Sequence, residues 1–258
     1  MDVIPLTRDK VNLDFDTPSL EGADHVVHLA ALSYVPESWK DPASFYQTNV
    51  MGTVHVLEAA RTSAVPVTHI SSYVYGQPEY LPIDEDHPVK AENPYMQSKL
   101  FAEQACEFYK KNFNLTVCMM RPFNLYGEGQ KSNFLIPLII SQVLDGKKES
   151  ISLDSLTPKR DYVHISDLVK AILLSVKKPS NHIFNIASGE SYSVLEVTEL
   201  IMRAAGVNKK IIGGKKERPN EIADTRANIE KARSLLNWKP EMDMRHGIGN
   251  MLKQLQSL

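Results

Sequence analysis

Short apolar runs and helix-patterned segments take turns along most of this chain, and that alternation constrains its fold more than any other feature. Strands separated by helices belong to βαβ units, which build a parallel sheet covered by helices. Residues 3–6 form one apolar run, and Asp24-His25-Val26-Val27-His28-Leu29 reads as a strand ending in the small pair Ala30-Ala31. Val50, Val54 and Leu57 stand at helical spacing and predict a helix over 45–61. A strand over 67–70 follows. Residues 77–94 carry Pro78, Pro82, Pro88 and Pro94, too many for regular structure, so a long loop is expected. Beyond it come a helix from Pro94-Tyr95 to about residue 112 and a strand over 116–120, closed by Pro122. Helices are expected over 134–144 and 168–176, with Tyr162-Val163-His164 extended between them and Asp167 near the start of the second. A strand over 183–186 precedes a helix over 194–205, where Ser193 and Glu196 have capping-box spacing. Two helices near 228–236 and 245–257 end the chain. The last third alternates less regularly, as a smaller second lobe would.

At 258 residues the chain can bury a sizeable core. Its 29 Lys and Arg nearly balance 31 Asp and Glu, and no basic run marks a nucleic-acid surface. The longest apolar stretch, residues 134–140, is interrupted by Pro137 and far too short to span a bilayer. Cys106 and Cys118 lack metal spacing and sit in apolar segments, which reads as buried thiols in a reducing compartment. With no signal peptide pattern, a cytoplasmic protein is expected. No metal site is expected. Leu13-Asp14-Phe15-Asp16 lacks the remaining ligands of a calcium loop, and Gly127 to Ser132 lacks the Gly-Lys-Ser/Thr ending of a phosphate loop. His28 and His164 read as packing residues.

Chemistry concentrates in two segments roughly twenty residues apart. Ile70-Ser71-Ser72-Tyr73-Val74-Tyr75-Gly76 is a strand end running into a serine turn; Tyr95-Met96-Gln97-Ser98-Lys99 opens a helix. Tyr95 and Lys99 are four apart and share a helix face. A free phenol has a pKa of about 10, and an ammonium one turn away would favour its phenolate. A fall of about two to three pH units would make Tyr95 a base toward an alcohol and an acid toward a ketone. Ser71 would hydrogen-bond the same oxygen and stabilise its developing charge.

The chain resembles the extended short-chain dehydrogenase/reductases that act on nucleotide sugars, the epimerase/dehydratase group. The resemblance rests on His28-Leu29-Ala30-Ala31, Val35-Pro36-Glu37-Ser38-Trp39, Asn49-Val50-Met51-Gly52-Thr53, the serine segment and Tyr95 to Lys99. Arg121-Pro122-Phe123-Asn124 with Gly127, Arg160-Asp161-Tyr162-Val163-His164 and Arg218-Pro219-Asn220-Glu221 continue it in family order. It implies a Rossmann-like doubly wound α/β fold with a smaller α+β lobe. Residues 1–123 with about 161–187 would form the dinucleotide-binding domain, and about 124–160 with 188–258 the nucleotide-sugar lobe. The catalytic set implied is Ser71, Tyr95 and Lys99. Cofactor contacts fall on Arg8, Asp14, Leu29, Ala30, Ala31, Asn49, Tyr95, Lys99 and Pro122. Nucleotide-sugar contacts fall on Ser33, Ser72, Asn124, Arg160 and Arg218. NAD or NADP is the implied cofactor, and Arg8 suits the 2′-phosphate of NADP. A homodimer through the helices 45–61 and 95–112 is the family habit.

Two departures matter. Sugar 4,6-dehydratases of this family carry Asp-Glu where this chain has Ser72-Tyr73, which counts against dehydration. Residues 3–8 are similar to the family's second strand, and no glycine-rich turn occurs, so the first strand, that turn and the first helix are expected to be missing and dinucleotide binding weak. Three readings stand: an NDP-sugar 4-epimerase, an NADPH-dependent reductase of an NDP-4-keto-6-deoxy sugar, and a non-catalytic nucleotide-sugar-binding remnant.

Overall fold

The computed structural model describes residues 2–214 and 221–256. In chain order the elements are β1 (Val26–His28), α1 (Val35–Ser38), α2 (Pro42–Tyr46), a π-helical turn (Gln47–Met51), α3 (Gly52–Ser63), β2 (Val67–Ile70), α4 (Pro94–Phe113) and β3 (Val117–Pro122). Then follow β4 (Asn124–Tyr126), α5 (Leu135–Leu144), β5 (Ser150–Leu153), β6 (Lys159–His164), α6 (Ile165–Lys177) and β7 (Ile183–Ile186). The last are β8 (Ser191–Ser193), α7 (Val194–Ala205), β9 (Lys210–Gly213), α8 (Glu230–Leu236) and α9 (Met244–Gln256). The described residues divide into two compact units. One holds the chain up to Gly76, Val89–Arg121 and Ile172–Phe184; the other holds Gln77–Pro88, Pro122–Ala171 and the chain from Asn185 onward.

The first unit is organised by a sheet in the order β1-β2-β3-β7. β1 pairs parallel with β2 (Val26 opposite Val67), and β2 with β3 (Val67 opposite Val117). Val67, Val117 and Met119 meet Leu57, Ala60, Cys106 and Tyr109 in one apolar cluster, so the strands' valines are buried by α3 and α4. The alternation of the sequence thus becomes the parallel α/β fold it implies. Both cysteines are free and buried.

The second unit carries two small sheets, β4-β6-β8 and β5-β9. β4 runs parallel to β6, β8 antiparallel to it. Ile139, Ile140 and Val143 of α5, Val197 and Ile201 of α7, and Ile248, Met251 and Leu252 of α9 pack with Ile151 and Tyr162. α7 begins with the expected capping box: the Glu196 N–H donates to Ser193 Oγ (3.1 Å) and the Ser193 N–H to Glu196 Oε2 (2.7 Å). Among the described residues no helix is long and apolar enough to cross a membrane.

Three expectations are corrected. Residues 3–6 form no strand; Val3 and Ile4 are 80% and 73% exposed, because a strand exists only where a partner supplies a ladder and no described segment does. The single helix over 45–61 is α2, a π-helical turn and α3. In the wider turn three consecutive side chains are put to use: Gln47 and Thr48 hydrogen-bond Asp14, and Asn49 bonds Leu32. The strands β4, β5, β8 and β9 have no counterpart among the expected elements. At three or four residues each they carry too little pattern to be read before their partners are known.

A pair of histidines lies inside the first unit. His28 and His69 are 4% and 0% exposed, with ring centroids 5.4 Å apart. His28 Nε2 meets Thr53 Oγ1 at 3.0 Å, whereas neither ring nitrogen of His69 has a hydrogen-bond partner. Burial, aided by the Lys99 charge, pushes His28 down to about 3 and holds His69 well below its ordinary value. Both are neutral in the fold but protonate in the unfolded chain below about pH 6.5. Their contribution is therefore present above pH 6.5 and lost as pH falls from there toward the folded values. His69→Leu removes two orphaned polar atoms and should raise stability by about 1–3 kcal/mol. It should also flatten the loss of stability between pH 6.5 and 4. Thermal melts at pH 7 and 5 measure both, and an unchanged or lower midpoint at pH 7 refutes the expectation.

Candidate active site

Helix α4 presents the candidate residues. Asn93 caps it, Oδ1 accepting the Met96 N–H at 2.9 Å, and Pro94 sits in the first turn, where a missing N–H costs nothing. Tyr95, Lys99 and Glu103 then recur every fourth residue on one face. Opposite, β2 runs into the serine turn over 71–76. Gly76 closes the turn with φ +69°, and a Cβ there would lie 2.5 Å from the Lys90 carbonyl oxygen.

Lys99 is 2% exposed and donates to the carbonyl of Ile70, the last residue of β2, at 2.7 Å. Burial pushes its pKa down to about 8, against the opposing charge of Glu103. Tyr95 is half-buried, edge-on to Phe45 with centroids 6.3 Å apart. Burial holds its phenol above the ordinary value, and a hydrogen bond with the Ser72 side chain pulls the other way. The fall expected from Lys99 is thus not what the structure shows. The ammonium is directed at the Ile70 carbonyl, and Tyr95 is a neutral phenol at pH 7.

The two serines also differ from expectation. Ser71 is 4% exposed and donates its hydroxyl to Glu103 Oε1 at 2.5 Å. Ser72 is the one whose side chain acts on the Tyr95 phenol, lowering its pKa against the effect of burial. The reason is strand geometry: the Ser71 N–H still donates to Met120 O at 2.7 Å, so Ser71 continues the ladder and points inward, as His69 does. Ser72 leaves the strand and emerges beside the phenol.

Beneath the turn lies a pair that sequence reasoning missed. Arg121, at the end of β3, donates from Nε to Glu103 Oε1 (2.9 Å) and from Nη2 to Glu103 Oε2 (2.6 Å). Its Nη1 donates to the Tyr75 hydroxyl at 3.0 Å. Burial opposes the guanidinium's charge, but the hydrogen bonds it donates to Glu103, together with that carboxylate's charge, outweigh it and hold Arg121 above its ordinary value. The available signal was Glu103's place one turn beyond Lys99.

The remaining candidates separate. Asn49 is fully buried and holds the segment after β1, its side chain accepting from Leu32 N (2.8 Å) and donating to Leu32 O and Ser98 Oγ. Leu29, Ala30 and Ser33 are exposed and Ala31 half-buried, at the carboxyl end of β1. Arg8 pairs with Asp14, which also accepts from Thr48 Oγ1 at 2.8 Å. In the second unit Pro122 is buried, Asn124 donates to Asp161 O at 3.2 Å, and Arg160 is held by Glu221 Oε1 (2.7 Å) and Ile222 O (2.6 Å). Arg218 lies outside the described residues. Among the described residues no His, Cys, Asp and Glu cluster has the makings of a metal site.

The chemistry open to Tyr95, Ser72 and Lys99 is proton exchange with an alcohol or ketone oxygen. Comparison with known proteins identifies the family. The family described as GDP-mannose 4,6 dehydratase matches residues 20–251. A putative UDP-glucose 4-epimerase of Methanocaldococcus jannaschii is 32% identical over 97% of this chain and 82% of that protein. The GDP-6-deoxy-D-mannose reductase of Pseudomonas aeruginosa is 30% identical over 91% of this chain and 81% of its own length. The UDP-glucuronic acid 4-epimerase of Bacillus cereus, solved with UDP-glucuronic acid and NAD, superposes with a TM-score of 0.83 at 30% identity, covering 92% and 77% of the two chains. The chain belongs to the extended short-chain dehydrogenase/reductase family of NAD(P)-dependent nucleotide-sugar epimerases and dehydratases.

Proposed function

We propose that the protein is a nucleotide-sugar 4-epimerase. The observation that carries this reading is Tyr95 at the start of α4 with Lys99 one turn behind on the same helix face, its ammonium bonded to the Ile70 carbonyl where the serine turn begins. As its phenolate, with its own proton already released to solvent, Tyr95 takes the proton of the C4 hydroxyl as the carbon is oxidised and returns it when the keto sugar is reduced on its other face. Ser72 hydrogen-bonds the same oxygen and stabilises charge developing there. This assigns to Ser72 the role the sequence resemblance gave to Ser71. Lys99, an ammonium below about pH 8, favours the phenolate that forms transiently.

NAD(P), when bound, supplies hydride acceptance and return. The donor set fits it: the small, partly exposed segment 29–31 leaves the carboxyl end of β1, where open α/β sheets take such ligands, and Tyr95 and Lys99 offer donors to a ribose. With Arg8 paired to Asp14, a 2′-phosphate would have to displace a carboxylate, and NAD fits better. In the second unit, Asn124 and Arg160, with Arg218, would hold the nucleotide diphosphate. Ser72-Tyr73 in place of Asp-Glu continues to argue against dehydration.

The reductase relative favours a second reading, net reduction of a 4-keto-6-deoxy sugar. Redox stoichiometry separates the two. With UDP- and GDP-hexoses the epimerase produces the C4 epimer with no net change in absorbance at the nicotinamide band. A reductase consumes one NADPH per turnover, and that result would displace the leading assignment.

A further inference from the structure

We propose that Glu103 and Arg121 are positioning residues that, by gripping both ends of the serine turn, keep the Ser72 hydroxyl within hydrogen-bonding reach of Tyr95. The inference rests on the proton-transfer role assigned to Tyr95 and adds the device that sets its geometry. Glu103 is 3% and Arg121 4% exposed. Through Ser71 Oγ (2.5 Å) Glu103 holds the start of the turn; through the Tyr75 hydroxyl (3.0 Å), with the guanidinium carbon 4.9 Å from that ring's centroid, Arg121 holds its far side. Ser72 lies between these anchors.

A buried ion pair is a poor source of stability, because well-packed apolar residues of the same volume serve as well or better. Its value here is directional. Glu103 accepts two hydrogen bonds from Arg121 and one from Ser71, so three of its four lone-pair directions are defined and the carboxylate has little freedom to rotate. Ser71, fixed by that carboxylate and by its own ladder bond to Met120, passes this rigidity to the next residue in the chain. Glu103 also shares its helix face with Tyr95 and Lys99, so the anchor and the acid–base group are parts of one rigid rod.

The link is cut most cleanly at Ser71. Ser71→Ala leaves both Arg121–Glu103 bonds in place and strands no charge, whereas Glu103→Gln leaves Arg121 partly unpaired and serves as the stronger variant. The readout is ionisation of a difluorotyrosine placed at position 95, followed by fluorine NMR in the full chain, which needs no turnover. Loss of the Ser72 hydrogen bond should move that titration alkaline by about 0.5–1 pH unit. Ser71→Ala and Ser72→Ala should each produce the shift, the double variant should go no further than Ser72→Ala alone, and Ser71→Thr should restore it. A Ser71→Ala protein that melts normally and titrates as the parent overturns the proposal, as do additive shifts in the double variant. Failure of the epimerase reading would show separately, as turnover that survives Tyr95→Phe.

Discussion

Replacing Tyr95 with Phe is expected to lower turnover of a nucleotide hexose by about 10²–10⁴-fold, the usual worth of a positioned general acid–base group. Only an oxygen is removed. The ring keeps its edge-on contact with Phe45, and the lost hydroxyl lies at a half-buried site, so the thermal midpoint should move by only a few degrees. KM for the sugar should change little, because the interaction that disappears is made most strongly in the transition state. In the parent protein burial holds the Tyr95 phenol protonated at neutral pH, so it stands ready to donate to a ketone oxygen. Acting as a base, it depends on positive charge nearby. Lys99 supplies that charge below about pH 8 and loses it as pH rises through that value. Steady-state rates at saturating nucleotide and sugar, with circular dichroism melts alongside, test the set. Activity within threefold of the parent would remove Tyr95 from the mechanism.

The second large effect is structural and lies in the second unit. Asp161 is fully buried at the start of β6's inward-facing run. Its Oδ1 accepts from the Ser188 N–H and hydroxyl, both at 2.7 Å, and its Oδ2 from Gly189 N (3.0 Å) and Ala227 N (3.1 Å). One carboxylate thus ties β6 to the segment after β7 and to the segment before α8. Burial pushes its pKa up to about 6, with the four donors opposing the rise, and it remains ionised at pH 7. Asp161→Ala leaves three backbone N–H groups without their acceptor. The expected loss is about 3–5 kcal/mol, a fall in the melting midpoint on the order of 10 °C for a chain of this size. Asp161→Asn keeps the volume but turns an amide donor toward two N–H groups, and it should cost a similar amount. The sign of the pH effect follows from the raised value. Relative to an unfolded Asp near 3.9, the folded form prefers the proton, so the stability from this group is greatest below pH 4 and declines as pH rises through about 6. Melts of parent and variant between pH 4 and 8 measure both effects. A midpoint within 3 °C of the parent for Asp161→Ala would contradict the anchoring role.

What could be read from residues alone was what is locally encoded. The start of α4 is written in Asn93-Pro94, and that of α7 in Ser193 with Glu196; each cap is satisfied within four residues of itself. β3 was legible because residues buried on both faces make a continuous apolar run, Val117 to Met120, and the parallel order of the sheet follows from the helices between its strands. The Tyr95–Lys99 pair came from the same source, since helix periodicity alone puts both on one face.

Tertiary structure decided the rest, and in each case the deciding contact is distant in sequence. Whether Ser71 or Ser72 meets the phenol depends on where β2 leaves its ladder with β3, and that is set by Met120, not by the serines' neighbours. The acidity of Tyr95 depends on burial, and on where the Lys99 ammonium points once the Ile70 carbonyl is beside it. Glu103 and Arg121 are ordinary surface letters until helix and strand pack, when two charges excluded from water must find each other. Residues 3–6 make the converse case, an apolar run that reads as a strand but has no ladder to join. Periodicity specifies elements and faces; charge pairing, register ends and strand partners arise only when separate elements exclude water together.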